Sequence, residues 1–592
     1  MKKPYVLKPH VTRFMKLFAK DSPEVPAALL SAKAEKPDLA GFPYPLPSAK
    51  SEYTCFAEGN GGVLWLGATT GLTRYDPNAG REVDKIMYFS KDRDLADNSV
   101  QALYAEGANV WVLTETAVAF IEMSVITMEE KANILLQESV DIVDRHGMMS
   151  QKGLAVPRDL SSKLPYGESD NDGCFTSGYA IAELLHYAVK KRELGPDHPE
   201  VRRVRAIAMR SVEATLLLMY IARRGNGFIA RTYLTKDEPV PNGQFYRITD
   251  NKATPIDNER AQKKGLVGMV IDASAPVPER LTKYFREEGY TIDDIIYKGD
   301  TSSDEVTLHF LHLYFAHEIF GKEDPELDDL IKTAAKNSLR HFIDHGYEMH
   351  ECDGQATTWA KWSLEYFDTG MGWSDACLNA AEMLMYHKVV MHITGEEGKW
   401  KESYEHLLSL GYADLTTKHF NRFNQMSTLG GMEPSEDLMY GDNMLATAAF
   451  WGLMLTETDE ELLKKYREGY LSWNHVLHRE HNPGYDFPFI LSCPDEKIDM
   501  ERIADWFYRF HPSRLAASVS TTLRRDIPQR TCLGGYKEVS AVLPPDECFI
   551  AKYDRNPLQL RDEDSGGVRC VESCYVYTFA YWIGRYHGLI EE

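Results

Sequence analysis

The hydrophobic positions change period near residue 124. Before it they alternate: "VLWLGATTGLTRY" and "NVWVLTETAVAFIE" place apolar residues at every second position beside Gly- and Thr-containing turns, which predicts short antiparallel strands. After Thr127 the spacing becomes helical. "MEEKANILLQESVDIVDRHGMM" carries charge between its apolar residues, "DGCFTSGYAIAELLHYAVKK" is apolar on nearly every side, and "PEVRRVRAIAMRSVEATLLLMYIARR" is amphipathic again. A helix apolar all round has to be enclosed, whereas an amphipathic one keeps a face in water. The alternation therefore predicts two layers, with outer helices paired to inner ones as 125–146 with 173–190, 198–222 with 303–320, and 325–345 with 373–394. The remaining pairs are 399–411 with 441–457, 458–475 with 500–510, and 513–524 with 569–588, giving six hairpins.

The predicted inner helices follow loops rich in Gly, Asp and aromatic residues: "GESDNDG", "KGDTSSDE", "DTGMGWSD", "EDLMYGDN" and "DEDSGGVRCVES". Marked by Asp172, Asp304, Asp375, Asp442 and Glu572, these loops recur at about 65–70 residues or twice that, the signature of a repeat. One doubled interval is filled by an insertion at 223–300, long enough to need structure of its own or a function. Near the N-terminus, Trp65 and Trp111 stand 46 residues apart in two related segments. Their turns and the "RYDP" closure resemble sensor-type β-propeller repeats. Two such copies cannot close a ring, since propellers use at least about four blades. Residues 40–123 are accordingly expected to form a small β-domain of two propeller-like repeats, after an N-terminal arm at 1–39 and before a helical domain at 124–592.

Composition narrows the function. Over 592 residues, 89 acidic residues against 66 basic ones give a net charge of -23, and no Lys/Arg block appears, so neither nucleic acid nor an anionic membrane surface is an expected partner. The first twenty residues lack the apolar run of a signal peptide, and no stretch approaches the ~18 apolar residues of a membrane span. Nine scattered cysteines without a CxxC pair fit reduced thiols and a cytoplasmic location. His309, His312 and His317 do not share one helix face, no HExxH occurs, and Gly-rich phosphate loops are missing, so no metal and no cofactor are expected.

The strings "ESDNDGC", "RGNGFIARTY", "GDTSSDE" and "TGMGWSD" within six outer–inner hairpins resemble the six-hairpin glycosidases, and among them enzymes that act on uronic acids, such as exo-β-glucuronidases of gut-bacterial type. The resemblance covers roughly residues 125–590. It implies a mainly α fold, an (α/α)6 toroid, and a glycoside hydrolase that releases a terminal uronic acid, β-linked glucuronate, from an oligo- or polysaccharide. Two alternatives stay open: a polysaccharide lyase acting on uronate linkages by β-elimination, and a non-catalytic carbohydrate-binding protein.

Sugar hydrolysis needs paired carboxylates, one to protonate the leaving oxygen and one to activate water or attack. Asp304, Glu305, Asp172 and Asp375 are the catalytic candidates, each at a predicted inner-helix start. Asn171, Arg231, Tyr233, Trp373, Tyr440, Asp442, Arg509 and His511 are the substrate-binding candidates, aromatic for a pyranose face or basic for a uronate. A purely structural reading competes at each position. Ser302 with Glu305, and Thr301 with Asp304, have the spacing of capping boxes, and "SDNDG" has that of an Asx-turn before a helix. In "GFIARTY" an extended segment would turn Phe228 and Ala230 inward and Arg231 outward. "FYRFHPSR" and "HNPGYD" could supply a lyase base. The unpaired strand edges of an incomplete propeller point to packing on the ring or on a second subunit in a homo-oligomer.

Overall fold

The computed structural model describes residues 3–592 except 33–34, 40–41, 45, 47–50, 165–170, 419–439, 518–527, 532–536, 540–541, 548–551, 554–555 and 561–566. Twelve of its helices form two layers. The outer ones are α1 (Met128–Glu138), α3 (Pro199–Tyr220), α5 (Pro325–Asp344), α7 (Gly398–Ser409), α9 (Glu460–Leu477) and α11 (Met500–Arg509). The inner ones are α2 (Asp172–Leu194), α4 (Ser303–Phe320), α6 (Gly372–Thr394), α8 (Tyr440–Thr456), α10 (Pro483–Ser492) and α12 (Tyr575–Tyr586). Each inner helix packs on the next, α2 on α4, α4 on α6, α6 on α8, α8 on α10 and α10 on α12, and α12 returns to α2, so the six close a ring.

Two helix assignments differ from the sequence expectation. Residues 500–510 are not an inner helix but the outer α11, and the inner helix of the fifth pair is 483–492. Prolines 483 and 488 interrupt the helical pattern of that segment. Pro483 occupies the first turn, where a missing N–H costs nothing, and the short helix is apolar enough to be enclosed. Met500–Arg509 has one apolar face and one polar face, which is what an outer position demands. The sixth outer helix is therefore α11 rather than 513–524, most of which lies outside the described residues, while Leu515–Ala517 is a strand.

The turns from inner to outer helices are short, for example 195–198, 321–324, 395–397 and 457–459. Most returns to the inner N-termini are long. All inner helices thus run in one direction, with their N-termini at the end that carries the long loops. The bore is no channel. Among the described residues, Leu308, Leu311, Trp451, Tyr485, Tyr575 and Phe579 line a residual cavity of about 20 Å³, so this part of the ring is a packed core. No described helix is long and apolar enough to cross a membrane.

The N-terminal strands form two four-stranded antiparallel sheets. The first is a meander of Tyr53–Glu58, Leu64–Ala68, Gly71–Tyr75 and Ile86–Phe89. The second runs Val100–Glu106, Asn109–Thr114, Val118–Ile126, and its fourth strand is His10–Phe18, paired over nine residues with Val118–Ile126. The segment expected as an arm thus supplies a sheet edge, and its short helix Ala27–Leu30 packs on the outer face with Trp111. Each sequence copy contributes one sheet, and Trp65, Leu72, Phe89, Val110, Val112 and Ile121 share a core between them. The insertion at 223–300 builds a five-stranded antiparallel sheet, in the order Tyr233–Thr235, Ile295–Lys298, Phe245–Thr249, Lys252–Pro255, Ile271–Asp272.

Two contacts close the chain on itself. Tyr5–Val6 pairs in parallel with Ile590–Glu591. Lys131 of α1, wholly buried, donates to the carbonyls of Phe507, Tyr508 and Phe510 at 2.8–2.9 Å, satisfying the C-terminus of α11. Burial brings its ammonium down to about 7.

Candidate functional site

The loop before α4 shows why a local reading of "GDTSSDE" fails. Ser302 is the N-cap of α4 but makes no side-chain capping bond. Its hydroxyl instead accepts from Arg231 Nη2 at 2.9 Å. Glu305 does not reach back to close a capping box. It turns into the protein, where its Oε2 accepts the Cys174 N–H of α2 at 2.8 Å and its Oε1 lies 3.8 Å from Arg231 Nε. Asn171 behaves in the same way. It sits at the start of α2 with φ 62°, caps nothing with its side chain, and its Oδ1 accepts from Arg231 Nη2 at 3.0 Å. One guanidinium from the insertion therefore draws together the first turns of two inner helices, at the expense of the expected caps.

Asp172 is anchored beside them, its Oδ2 accepting from Arg145 Nη2 at 2.9 Å and from the Thr232 hydroxyl at 2.7 Å. Glu305 is fully buried, and burial drives its carboxyl well above the ordinary range, opposed by Arg231 and reinforced by Asp172 and Asp304. It is sealed beneath the mouth, and burial makes it hold its proton more tightly than an exposed carboxyl does. Asp304, its neighbour in sequence, is only partly buried.

Asp375 and Asp442 occupy the first turns of α6 and α8, and both are also partly exposed. Asp375 is held by the Tyr366 hydroxyl at 2.7 Å and the Ser374 hydroxyl at 3.1 Å. Since α4, α6 and α8 pack on one another, Asp304, Asp375 and Asp442 surround one sector of the mouth. Their fields overlap: Asp304 and Asp442 both act on Glu382, and Asp375 and Asp442 both act on Tyr366. Trp373 stands beside Asp375 with 58% of its surface exposed. Tyr440 opens α8, and its side chain lies outside the described residues.

Sequence reasoning missed Glu382, ten residues into α6 and fully buried. Its Oε2 accepts from Trp362 Nε1 at 2.8 Å, and its Oε1 lies 2.7 Å from the Thr307 hydroxyl. Thr307 Oγ1 is also 2.9 Å from the Ser303 carbonyl and 2.7 Å from the Tyr386 hydroxyl. A hydroxyl has one proton to give. If Thr307 donates it to Ser303, then Glu382 must donate to Thr307, which requires a protonated Glu382. Burial pushes this carboxyl up to about 8, in agreement. Only its charge in an otherwise apolar inner-helix stretch could have marked it.

The other candidates are placed elsewhere. Tyr233 is buried against Phe285, and its hydroxyl donates to the His146 carbonyl at 3.0 Å. The predicted in-and-out alternation around it does not occur, because Phe228, Ile229 and Ala230 are all buried. The chain there is wedged against α5, so close that a Cβ on Gly227 would meet the Asn337 carbonyl oxygen at 2.0 Å. Arg509 and His511 lie away from the mouth, between the N-terminal sheets and the ring. Arg509 donates to Asp546 Oδ2 at 3.0 and 2.9 Å and to the Val83 carbonyl, and His511 bonds Asp94 at 3.1 Å. They are a junction staple, and the structure does not bring them to the acids of the mouth. Tyr485 of "HNPGYD" donates to the Tyr553 carbonyl, so both lyase-base strings are engaged in packing. His309 and His312 are core residues, bonded to Ser177 and Thr215 and held down to about 3 by burial.

No family model and no curated protein matches the chain. Among solved structures it is similar to a thermostable endoglucanase mutant from Alicyclobacillus acidocaldarius (13% identity, TM-score 0.35, covering 91% of this chain and 95% of that one). It is also similar to a Bacteroides ovatus GH9 protein (10%, 0.36, 92% and 95%) and to the GH family 9 endoglucanase J30 (9%, 0.35, 85% and 90%). At such identities and TM-scores, neither the fold nor the activity of this chain follows from them. What the chain itself provides is a closed double ring of helices with three accessible carboxylates, an arginine and an exposed tryptophan around its mouth.

Proposed function

We propose that this protein is a glycoside hydrolase that releases a terminal uronic acid, β-linked glucuronate, at the mouth of the ring. The observation that carries the reading is the set Asp304, Asp375 and Asp442, placed on the first turns of three mutually packed inner helices. Such a set meets the need for one carboxyl that donates a proton and one that receives a proton from water or attacks. Asp375, which accepts from the Tyr366 hydroxyl, is assigned the role of receiving a proton from water or attacking. Asp304, above the buried Glu305 and Glu382, suits the proton donor. Arg231 supports a uronate, because it holds a guanidinium at the mouth, its Nη2 donating to Asn171 and Ser302 and its Nε 3.8 Å from the buried Glu305. Trp373 offers its ring to the apolar face of the sugar. Glu305, sealed from solvent, is a positioning residue that fixes α2 and Arg231.

The test is turnover of p-nitrophenyl β-glucuronide against a uronate polymer, following nitrophenol release and the ultraviolet absorbance of an unsaturated product. Nitrophenol release is expected, with a fall of about 100-fold or more in Asp304→Asn and in Asp375→Asn. Unsaturated product alone would establish β-elimination instead. Wild-type turnover in both variants would remove these two acids from the mechanism.

A further inference from the structure

The turn after α1 is pinned on α3 and reaches the start of α2. Arg145 and Met148 exchange both backbone bonds, at 3.0 and 2.9 Å, around His146 and Gly147, whose φ angles are 53° and 91°. Asp144 accepts from Arg210 of α3 at 2.9 and 3.0 Å, and a Cβ on Gly147 would meet the Ala214 Cβ of the same helix at 2.6 Å. Conformation and contact both demand glycine there. From this turn His146 faces two carboxylates of the insertion, its Nδ1 2.8 Å from Glu288 and its Nε2 3.2 Å from Glu238.

Arg145 is buried and joins the insertion to α2. Its Nη1 donates to the Tyr233 carbonyl, and its Nη2 donates at 2.9 Å to both Thr232 Oγ1 and Asp172 Oδ2. The Thr232 hydroxyl gives its proton to the same Asp172 oxygen at 2.7 Å. Two neighbouring cross-links result, Arg231 with Asn171 and Thr232 with Asp172. The first presents the guanidinium, and the second, closed by Arg145, ties the backbone beside it to the same helix start. Main-chain bonds complete the frame, from the Ala230 N–H to the Leu218 carbonyl at 2.8 Å and from the Lys298 N–H to the Thr232 carbonyl at 2.9 Å.

We propose that Arg145 is a positioning residue for Arg231: through Asp172, Thr232 and the Tyr233 carbonyl it holds the Arg231 backbone at the start of α2, so that the guanidinium meets an anionic sugar. Its planar fork reaches three acceptors at once, whereas a lysine ammonium would bring its donors to a single point. The ligand's identity as a sugar acid rests on the hydrolase reading, while the positioning of Arg231 does not. In this frame Asp172 holds Arg145 and Thr232 rather than acting on a glycosidic bond.

The experiment uses the full chain. Arg145→Lys and Thr232→Val, each alone and with Arg231→Gln, are titrated calorimetrically with glucuronate, and amide hydrogen exchange is followed in 229–235. Thr232→Val keeps the side chain's shape and removes its hydroxyl, so it carries the test should Arg145→Lys fail to fold. Each single variant is expected to speed exchange in 229–235 about ten-fold, to leave 64–75 in the N-terminal sheets unchanged, and to weaken glucuronate about five-fold or more. The double variants are expected to bind no more weakly than Arg231→Gln alone, since an effect exerted through Arg231 vanishes with it. Wild-type exchange in both single variants, exchange raised equally in 64–75, undiminished affinity in both where Arg231→Gln loses it, or losses that multiply with that of Arg231→Gln would overturn the positioning. Absence of glucuronate binding by wild type, with exchange still raised in 229–235 of the variants, would remove the uronate reading and leave the positioning standing.

Discussion

The protein buries two groups of carboxylates and treats them in opposite ways. At the junction, Asp94 and Asp546 are enclosed with arginines: Arg13 donates to Asp94 at 2.9 and 3.1 Å and to Asp546 at 2.8 Å, and Arg509 donates to Asp546 twice. Both acids are held below the usual carboxylate range despite burial. Beneath the mouth, Glu305 and Glu382 are equally enclosed but lack a close bidentate cation, and both are pushed up. Burial is common to the two groups, so geometry decides. Where a guanidinium meets the carboxylate through short paired bonds, the charge survives and staples two bodies together. Where no close bidentate cation reaches it, burial prevails and the carboxyl holds its proton more tightly.

The sharpest way to break this contrast is to remove one acid from each group. Asp546→Ala leaves Arg13 and Arg509 buried beside a missing partner, and a loss of about 3–5 kcal/mol is expected in chemical denaturation. Glu305→Gln, which puts a neutral amide where burial favours the protonated acid, should stay within about 1 kcal/mol of wild type. Comparable losses in the two variants would mean that both groups are charged in the folded protein.

Acid separates the groups next. For Asp94 and Asp546 the folded state binds protons less readily than the unfolded chain. Their stabilisation is complete above the ordinary carboxylate range, near about 4, and is lost as pH falls through their depressed values. A melting temperature that drops steeply below about pH 4 in wild type should drop less in Asp94→Asn. Identical acid limbs would exclude the junction as the acid-labile element.

The smallest effect runs the other way. Glu382, raised to about 8, keeps its proton in the folded state when the unfolded chain has lost it, so its contribution to stability declines as pH rises from about 4.5 to about 8. Glu382→Gln preserves a donor to Thr307 and an acceptor for Trp362, and should flatten that decline. Equal slopes in variant and wild type would mean that Glu382 is ionised at neutral pH, and that Thr307 gives its proton to the carboxylate rather than to Ser303.

Layering was legible because it depends on which faces each helix can leave wet. The apolar stretches at 173–190, 303–320, 373–394 and 441–457 all lie in inner helices, and the amphipathic ones between them are outer. The pattern misled in the last two pairs, where prolines interrupt the enclosed helix at 483–492 and the amphipathic 500–509 is outer rather than inner. In the candidate site, the period placed Asp304, Asp375 and Asp442 at inner-helix starts. It could not tell Asp304 from Glu305, because both have the right spacing, and only the approach of Cys174 and Arg231 from other segments turned one of them inward. Arg509 and His511 looked like a uronate clamp because the string contains no acid. Their partners, Asp546 and Asp94, are supplied by distant stretches of chain.

The sequence by itself determined the helical ring's repeat, the alternation of enclosed and half-wet helices, and the presence of acids at the loop ends, since all three follow from the local order of apolar and polar side chains. Tertiary structure alone decided which carboxyls keep a proton, which arginines are already committed, and whether "GDTSSDE" caps its own helix or ties two helices together. Those outcomes depend on desolvation and on the close approach of groups far apart in sequence, and neither is written in any short stretch of it.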